Sequence, residues 1–374
     1  MSQANASPDA RRSSPDSRGK PPGRGRRGEA PCYAALDLGT NNCRLLIATP
    51  APGGFRIVEA YSRIVRLGEG LTASGALQDG AMDRAIAALK TCAERVGRRN
   101  IAGMRAIATQ ACRAASNGEA FIERVRAETG LVLEVITPKE EAQLSVAGCL
   151  NLFDREAADA ALVVDVGGGS TELSWVDLRD PSLDRPGGRF NPRGLPIRAW
   201  LSMPVGVVSL AERFPEEGDQ QAWFAAMVED VKERIQAFPH AEKMREVFGQ
   251  GRTQLVGTSG AITSLAGVHL GLPRYDRTKV DGLWMSEESC RSVTEHLLSL
   301  SHAKRAQEPC IGPDRADLVL AGAAILRAVQ ETWPCTRARV ADRGLREGLL
   351  LSLIHPPGRR RRRRRGGASR KAAA

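Results

Sequence analysis

Two stretches of this 374-residue chain combine residue types suited to handling an anion. In Ala161-Leu-Val-Val-Asp-Val-Gly-Gly-Gly-Ser-Thr-Glu-Leu-Ser-Trp-Val176, a short apolar, β-branched run ends in Asp165. Gly167, Gly168 and Gly169 follow, then Ser170, Thr171 and Glu172, after which apolar alternation resumes. The pattern reads as a hairpin whose tip is nearly free of side chains, so that backbone N–H groups can approach an anion closely. Asp165 and Glu172 flank the tip, where they can hold a divalent metal or a water. An oxyanion cradle beside two carboxylates suits phosphate chemistry.

The second stretch, Tyr33-Ala-Ala-Leu-Asp-Leu-Gly-Thr-Asn-Asn-Cys-Arg-Leu-Leu-Ile-Ala48, repeats the plan: strand, Asp37, a turn containing Gly39, strand. Superposing Asp37 on Asp165 places Gly39 on Gly167. The interval of 128 residues is too long for a solenoid repeat. It suits two related domains that each offer one hairpin to a shared cleft, with Asp37 facing Asp165 and Glu172 from across it. A third Gly-rich turn lies in Gln254-Leu-Val-Gly-Thr-Ser-Gly-Ala-Ile-Thr-Ser-Leu265, read as strand, turn, helix. There Thr258, Ser259 and Gly260 read equally as ligand contacts or as an N-cap cluster.

These sites need strands and helices to position them. Strands are expected at 55–65, 104–109, 131–136 and 199–203, and helices at 82–96, 221–237, 285–300 and 316–332. Ser116-x-x-Glu119 reads as a capping box opening a helix that stops at Gly130. Thr137-Pro138-Lys139-Glu140 reads as a second, with Pro at the first helical position. There Glu140 is expected to spend its carboxylate on backbone N–H groups, leaving Glu141 free. Residues 339–354 read as a short strand, a turn at Gly344 and a closing helix, which Arg346 and Glu347 are expected to fix.

Charge is unevenly placed. Residues 1–29 carry seven Lys/Arg against three acids and residues 356–374 nine against none, so the total of +11 leaves the body at −2. The basicity belongs to two tails, 1–30 and 356–374, read as disordered. Eight scattered cysteines without a C-x-x-C pair argue for reduced thiols rather than a disulfide frame or a zinc site. The five histidines have no metal-ligand spacing. With no long apolar run and no signal-peptide core, a soluble cytoplasmic protein is expected.

Taken together the motifs resemble those of the exopolyphosphatase and guanosine pentaphosphate phosphohydrolase (Ppx/GppA) family, in a short form without the helical C-terminal domain of long members. The matching stretches are Leu36-Asp-Leu-Gly-Thr-Asn41, Ala108-Thr-Gln-Ala-Cys-Arg113, Lys139-Glu-Glu-Ala142, Val164-Asp-Val-Gly-Gly-Gly-Ser-Thr-Glu172, Gly257-Thr-Ser-Gly260 and Asp342-Arg-Gly-Leu-Arg-Glu-Gly348, in the family's order. Asn42 and Gln143 depart from it, standing where a Ser and an Arg are more usual.

The resemblance implies an α/β fold of two actin-like (ribonuclease H-like) domains with a cleft between them. The domains would span 31–137, completed by the closing helix 344–355, and 138–343. It implies Mg²⁺-dependent release of orthophosphate from inorganic polyphosphate or guanosine pentaphosphate, and a homodimer. Glu141 would be the general base, with Asp165 and Arg113 completing the catalytic set. Arg113 can clamp phosphate oxygens with its planar fork. Phosphate contacts fall on Gly39, Thr40, Asn41, Gly167, Gly168, Gly169, Ser170, Thr171, Gly257, Ser259 and Gly260, and metal contacts on Asp37, Asp165 and Glu172. The run Arg359–Arg365 is a possible electrostatic contact for polyphosphate or RNA. An ATP-dependent small-molecule kinase and a non-catalytic polyphosphate- or nucleotide-binding protein are the competing readings.

Overall fold

The computed structural model describes residues 31–184, 192–238 and 240–355. Both tails, with the Arg359–Arg365 run, lie outside the described residues.

Two mixed sheets organise the chain. The first contains β1 (Cys32–Leu38), β2 (Asn42–Ala51), β3 (Gly54–Ile64), β4 (Ile101–Ala108) and β5 (Leu133–Val135), in the order β3-β2-β1-β4-β5. The second contains β6 (Ala160–Val166), β7 (Thr171–Asp177), β8 (Ile197–Met203), β9 (Thr253–Thr258), β10 (Trp284–Ser286) and β11 (Arg337–Ala341), in the order β10-β11-β9-β6-β7-β8. In each, an antiparallel three-strand meander (β1-β2-β3, β6-β7-β8) is extended by parallel strands on its first member (β4 then β5, β9 then β11). The two sheets are one design used twice, as the spacing of Asp37 and Asp165 predicts.

The central strands are apolar almost throughout because both their faces are covered. Ala34, Leu36 and Leu38 of β1 pack with Met82, Ile86 and Leu89 of the helix Asp79–Gly97. On the opposite face Ala35 packs with Leu349 and Leu350 of the closing helix Leu345–Ile354. Likewise Leu162 and Val164 of β6 belong to the large core built with the helices Gln220–Gln236, Gly260–His269, Glu287–Ser299 and Val319–Thr332. Ala161 and Val163 face a separate core with Val146 and Cys149.

Between the sheets the helix Pro138–Cys149 crosses the closing helix at very close range. A Cβ at Gly148 would overlap the Gly344 carbonyl, and one at Gly348 the Leu144 carbonyl, so backbone meets backbone at both points. Bare glycines here let the two helices interlock, which fixes where the first turn of Pro138–Cys149, and hence Glu141, lies.

Two local expectations need correction. The helix after Ser116 starts at Gly118 with Asn117 as N-cap and no side-chain cap; Ser116 Oγ donates to the Gly75 carbonyl. Asn117 instead ties down a neighbouring loop, its Oδ1 accepting from Leu77 N. At the second capping box Thr137 does cap, accepting from Glu140 N at 3.2 Å, with Pro138 in the first turn. The Glu140 carboxylate, however, accepts from Arg105 at 3.0 Å rather than from the backbone. An arginine within reach offers a charge-assisted bond in place of a neutral amide.

All eight cysteines are free and buried. Among the described residues no helix is long and apolar enough to cross a membrane.

Candidate active site

Each hairpin closes with the same backbone bond. Gly39 N donates to the Asn42 carbonyl at 2.8 Å, and Gly167 N to the Ser170 carbonyl at 2.9 Å. The two tips meet. A Cβ at Gly168 would stand 3.0 Å from Asn41 N, and one at Gly169 would stand 3.0 Å from Thr40 Oγ1 and overlap the Gln110 amide. From behind, Val207 N and Val208 N donate to the carbonyls of Gly167 and Gly168, at 2.9 and 2.8 Å. This backing turns the peptide oxygens away from the first hairpin. The amides of Thr40, Asn41, Gly168 and Gly169 donate to no acceptor among the described residues. Unspent N–H groups from two lobes, brought close where the glycine tip packs against Thr40, Asn41 and Gln110, are what an anion needs.

Four carboxylates stand behind the tips. Asp37 and Asp165 end the equivalent strands β1 and β6, and Glu172 faces Asp165 across the β6–β7 ladder. Glu141 comes from the first turn of Pro138–Cys149. Asp37, Glu141 and Glu172 are buried, at 8, 7 and 2 % exposure, so none can shed its charge into bulk water. Burial is the main reason that Asp165 is pushed up to about 6 and Glu172 to about 7. Asp37 adds to the shift of Asp165, and Asp165 to that of Glu172, by like-charge repulsion. Glu141 is raised well above the ordinary carboxylate range by burial, then by Glu172, with Arg113 opposing. Ser202 Oγ donates to Glu172 Oε1 at 2.8 Å, and Arg113 donates to Glu141 Oε2 at 3.3 Å and to the Ile136 carbonyl at 2.8 Å.

A cation suits this set on two observations. Asp37 Oδ1 and Asn41 Oδ1 are buried without a hydrogen-bond partner, and like-charge repulsion within the set raises Glu141, Asp165 and Glu172. Among the described residues no three His, Cys, Asp or Glu side chains are grouped so as to hold a metal ion by themselves. Mg²⁺ does not require such a group: it commonly takes one or two carboxylates and completes its shell with water and substrate phosphate oxygens.

Not every predicted contact faces the cleft. Thr171 is fully buried and its hydroxyl donates to the Val205 carbonyl at 2.7 Å, so that side chain ties the start of β7 to the turn that follows β8. Ser259 Oγ caps the helix Gly260–His269, accepting from Ile262 N at 2.9 Å. Gly257 lies inside β9, where a Cβ would press on Ile262 at 2.9 Å, a packing constraint rather than a ligand contact. Gly260 does border the site, beside the guanidinium groups of Arg44 and Arg315.

Those arginines were missed by the sequence reading. Arg44 pairs in register with Asp37 on β1–β2, and it is surrounded by Arg346 and Arg315 as like charges and by Asp37 and Asp342 as opposite ones. Burial and the neighbouring arginines lower its pKa. None of the three makes an ion pair among the described residues; Arg315 donates only to Ser264 Oγ, at 3.2 Å. The available signal was positional, because Arg44 interrupts the apolar strand β2 directly opposite Asp37. Arg346 is therefore part of this cluster, whereas Glu347 does fix the closing helix, accepting from Gly344 N at 2.9 Å and from Arg277 at 2.9 Å.

A family model described as the Ppx/GppA phosphatase family matches residues 46–356. The chain belongs to the Ppx/GppA phosphatase family. A structure of an exopolyphosphatase-like protein is 30% identical, covers 86% of this chain and 98% of its own, and superposes with a TM-score of 0.72. A family member from Aquifex aeolicus is 27% identical over 86% of this chain and 97% of its own, with a TM-score of 0.66. An exopolyphosphatase from Cytophaga hutchinsonii, at 22% identity and a TM-score of 0.74 over 86% of this chain and 97% of its own, shares the fold. The chain is also 27% identical over 315 residues to a bifunctional 3-dehydroquinate synthase/phosphatase of Fusobacterium nucleatum, a match that takes in 79% of this chain and 42% of that relative.

Proposed function

We propose that this phosphatase hydrolyses terminal phosphoanhydrides, releasing orthophosphate from inorganic polyphosphate or guanosine pentaphosphate. The observation that carries the reading is the convergence of unspent amides at Thr40, Asn41, Gly168 and Gly169 in front of buried, mutually repelling carboxylates. The amides receive the oxygens of the terminal phosphoryl group. Glu141 orients a water and takes its proton, its pKa raised by burial and by Glu172 with Arg113 opposing. Arg113 holds the Glu141 carboxylate in place. Arg44 and Arg315, beside Gly260, with Arg346 near Arg44, receive the remaining anionic part of the substrate.

Asp37, Asp165 and Glu172 are the groups that would hold Mg²⁺, which when bound supplies charge neutralisation on phosphate oxygens. The two substrates share a terminal phosphate but differ in what lies behind it. Orthophosphate release should be followed with polyphosphates of several lengths and with guanosine pentaphosphate, without and with added acceptor sugars or acids. Release in the absence of any acceptor supports the hydrolase and excludes the kinase reading. Transfer only to an acceptor, or no release with either substrate, overturns the proposal.

A further inference from the structure

Arg66 is the one non-glycine residue with a positive φ, 47°, among the described residues. A left-handed arginine is held there only if its surroundings over-determine it. Its backbone is stitched to the first phosphate tip from behind. Val65 N and Arg66 N both donate to the Asn41 carbonyl, at 2.9 and 3.0 Å, and Gly68 N donates to the Thr40 carbonyl at 2.9 Å. Gly68 itself is pressed on Thr40, since a Cβ there would overlap the Thr40 methyl. Arg84 Nε adds a bond to the Val65 carbonyl at 2.9 Å.

The side chain of Arg66 leaves this lobe. Its guanidinium reaches Asp317 with both terminal nitrogens, at 3.0 and 3.2 Å, and the Asp314 carbonyl at 3.3 Å. Four residues on, Gly70 N donates to Glu212 Oε1 at 2.8 Å, a second bond to the other lobe. Asn41, Arg66, Glu212 and Asp317 line a shared cavity of about 300 Å³ between the lobes. The segment 65–70 thus grips the second lobe through the Arg66 side chain and the Gly70 amide, while the amides of Val65, Arg66 and Gly68 fix the peptide carbonyls of Thr40 and Asn41. Because the carbonyl of one residue and the amide of the next share a plane, the carbonyl of Thr40 sets the direction of the Asn41 N–H.

We infer that Arg66 is a positioning residue: its ion pair with Asp317 holds the segment whose amides fix the Thr40 and Asn41 carbonyls, and so aims the Asn41 N–H, so that affinity for the phosphoryl group depends on a contact between lobes. The inference rests on the proposed phosphate-binding role of that tip. Two substitutions separate charge from backbone strain. Arg66→Gly accepts the positive φ and removes the guanidinium, and Asp317→Asn removes the partner while leaving segment 65–70 untouched. Each is expected to raise KM for polyphosphate about five- to twenty-fold with kcat within about threefold, and the double variant to do no more than either alone. Arg66→Lys, which keeps the charge without the fork, should recover part of the loss. In parallel, the Kd for tripolyphosphate is measured by calorimetry on a Glu141→Gln background, with the same five- to twenty-fold weakening expected. Unchanged KM and Kd in both single variants, or effects that multiply in the double, overturn the inference. A wild-type chain that releases no orthophosphate counts against the proposed function, and the calorimetric arm then decides the role of Arg66 by itself.

Discussion

Arg113 and Glu141, from two separate helices, meet with the guanidinium 3.3 Å from the carboxylate, while the same guanidinium is anchored on the Ile136 carbonyl. The arginine is thus held by backbone, and it lowers the pKa of a carboxyl that burial and Glu172 raise. Replacing Arg113 with Met should move the acid limb of the pH–rate profile to higher pH by about one unit. It should also reduce the rate at neutral pH about ten-fold or more. A profile with an unmoved limb would show that Arg113 does not tune Glu141.

Glu141→Gln keeps shape and burial but removes the proton acceptor. We expect kcat for orthophosphate release to fall about 10²- to 10⁴-fold while KM changes little, and the melting temperature to hold or rise because a disfavoured buried charge is gone. Steady-state phosphate assays and calorimetry on the same preparation check both halves. An enzyme of parental rate would remove Glu141 from the role of base.

The raised carboxylates also set the pH dependence of stability. With Asp165 at about 6 and Glu172 at about 7, the folded chain binds more protons than the unfolded chain between the ordinary carboxylate range and these values. Stability contributed by this pair is present at low pH and is lost as pH rises through about 6 to 7, on the order of 2–3 kcal/mol for each group. Thermal unfolding from about pH 5 to pH 8 in the presence of a chelator should therefore show Asp165→Asn gaining on the parent as pH rises. Added Mg²⁺ should raise the parent's melting temperature more at the upper end of that range than at the lower. A pH-independent difference between variant and parent would contradict the shifted values.

Gly148→Ala places a methyl group on the Gly344 carbonyl at the helix crossing. Neither backbone can retreat without moving a strand, so the cost is about 2–4 kcal/mol, at or above the usual range for overpacking. Denaturant unfolding would register it. Gly97→Ala, at the end of the exposed-side helix with open space around it, is the control and should be neutral or slightly stabilising.

Much of this architecture was legible because it is local or repeated. The Asp37 and Asp165 hairpins announced themselves through glycine tips and alternation, and the repeat of the sheet followed from their spacing. What stayed hidden was set by register and by distant partners. Arg44 acquires its meaning only once β1 and β2 align it with Asp37 and bring Arg315 and Arg346 from over 270 residues away. Thr171 and Ser259 have phosphate-binding residue types, yet nearby carbonyls and amides claimed their hydroxyls first. Side-chain chemistry can be read from a sequence, whereas competition for that chemistry is decided in three dimensions.

The duplicated hairpins differ at one matched place: Arg44 faces Asp37 in the first, and Glu172 faces Asp165 in the second. A frame with near two-fold repetition is thereby made electrically lopsided. A polyanion of the kind proposed as substrate would therefore be drawn toward the Arg44 side and away from the Glu172 side, which gives the two halves of one repeated frame opposite duties.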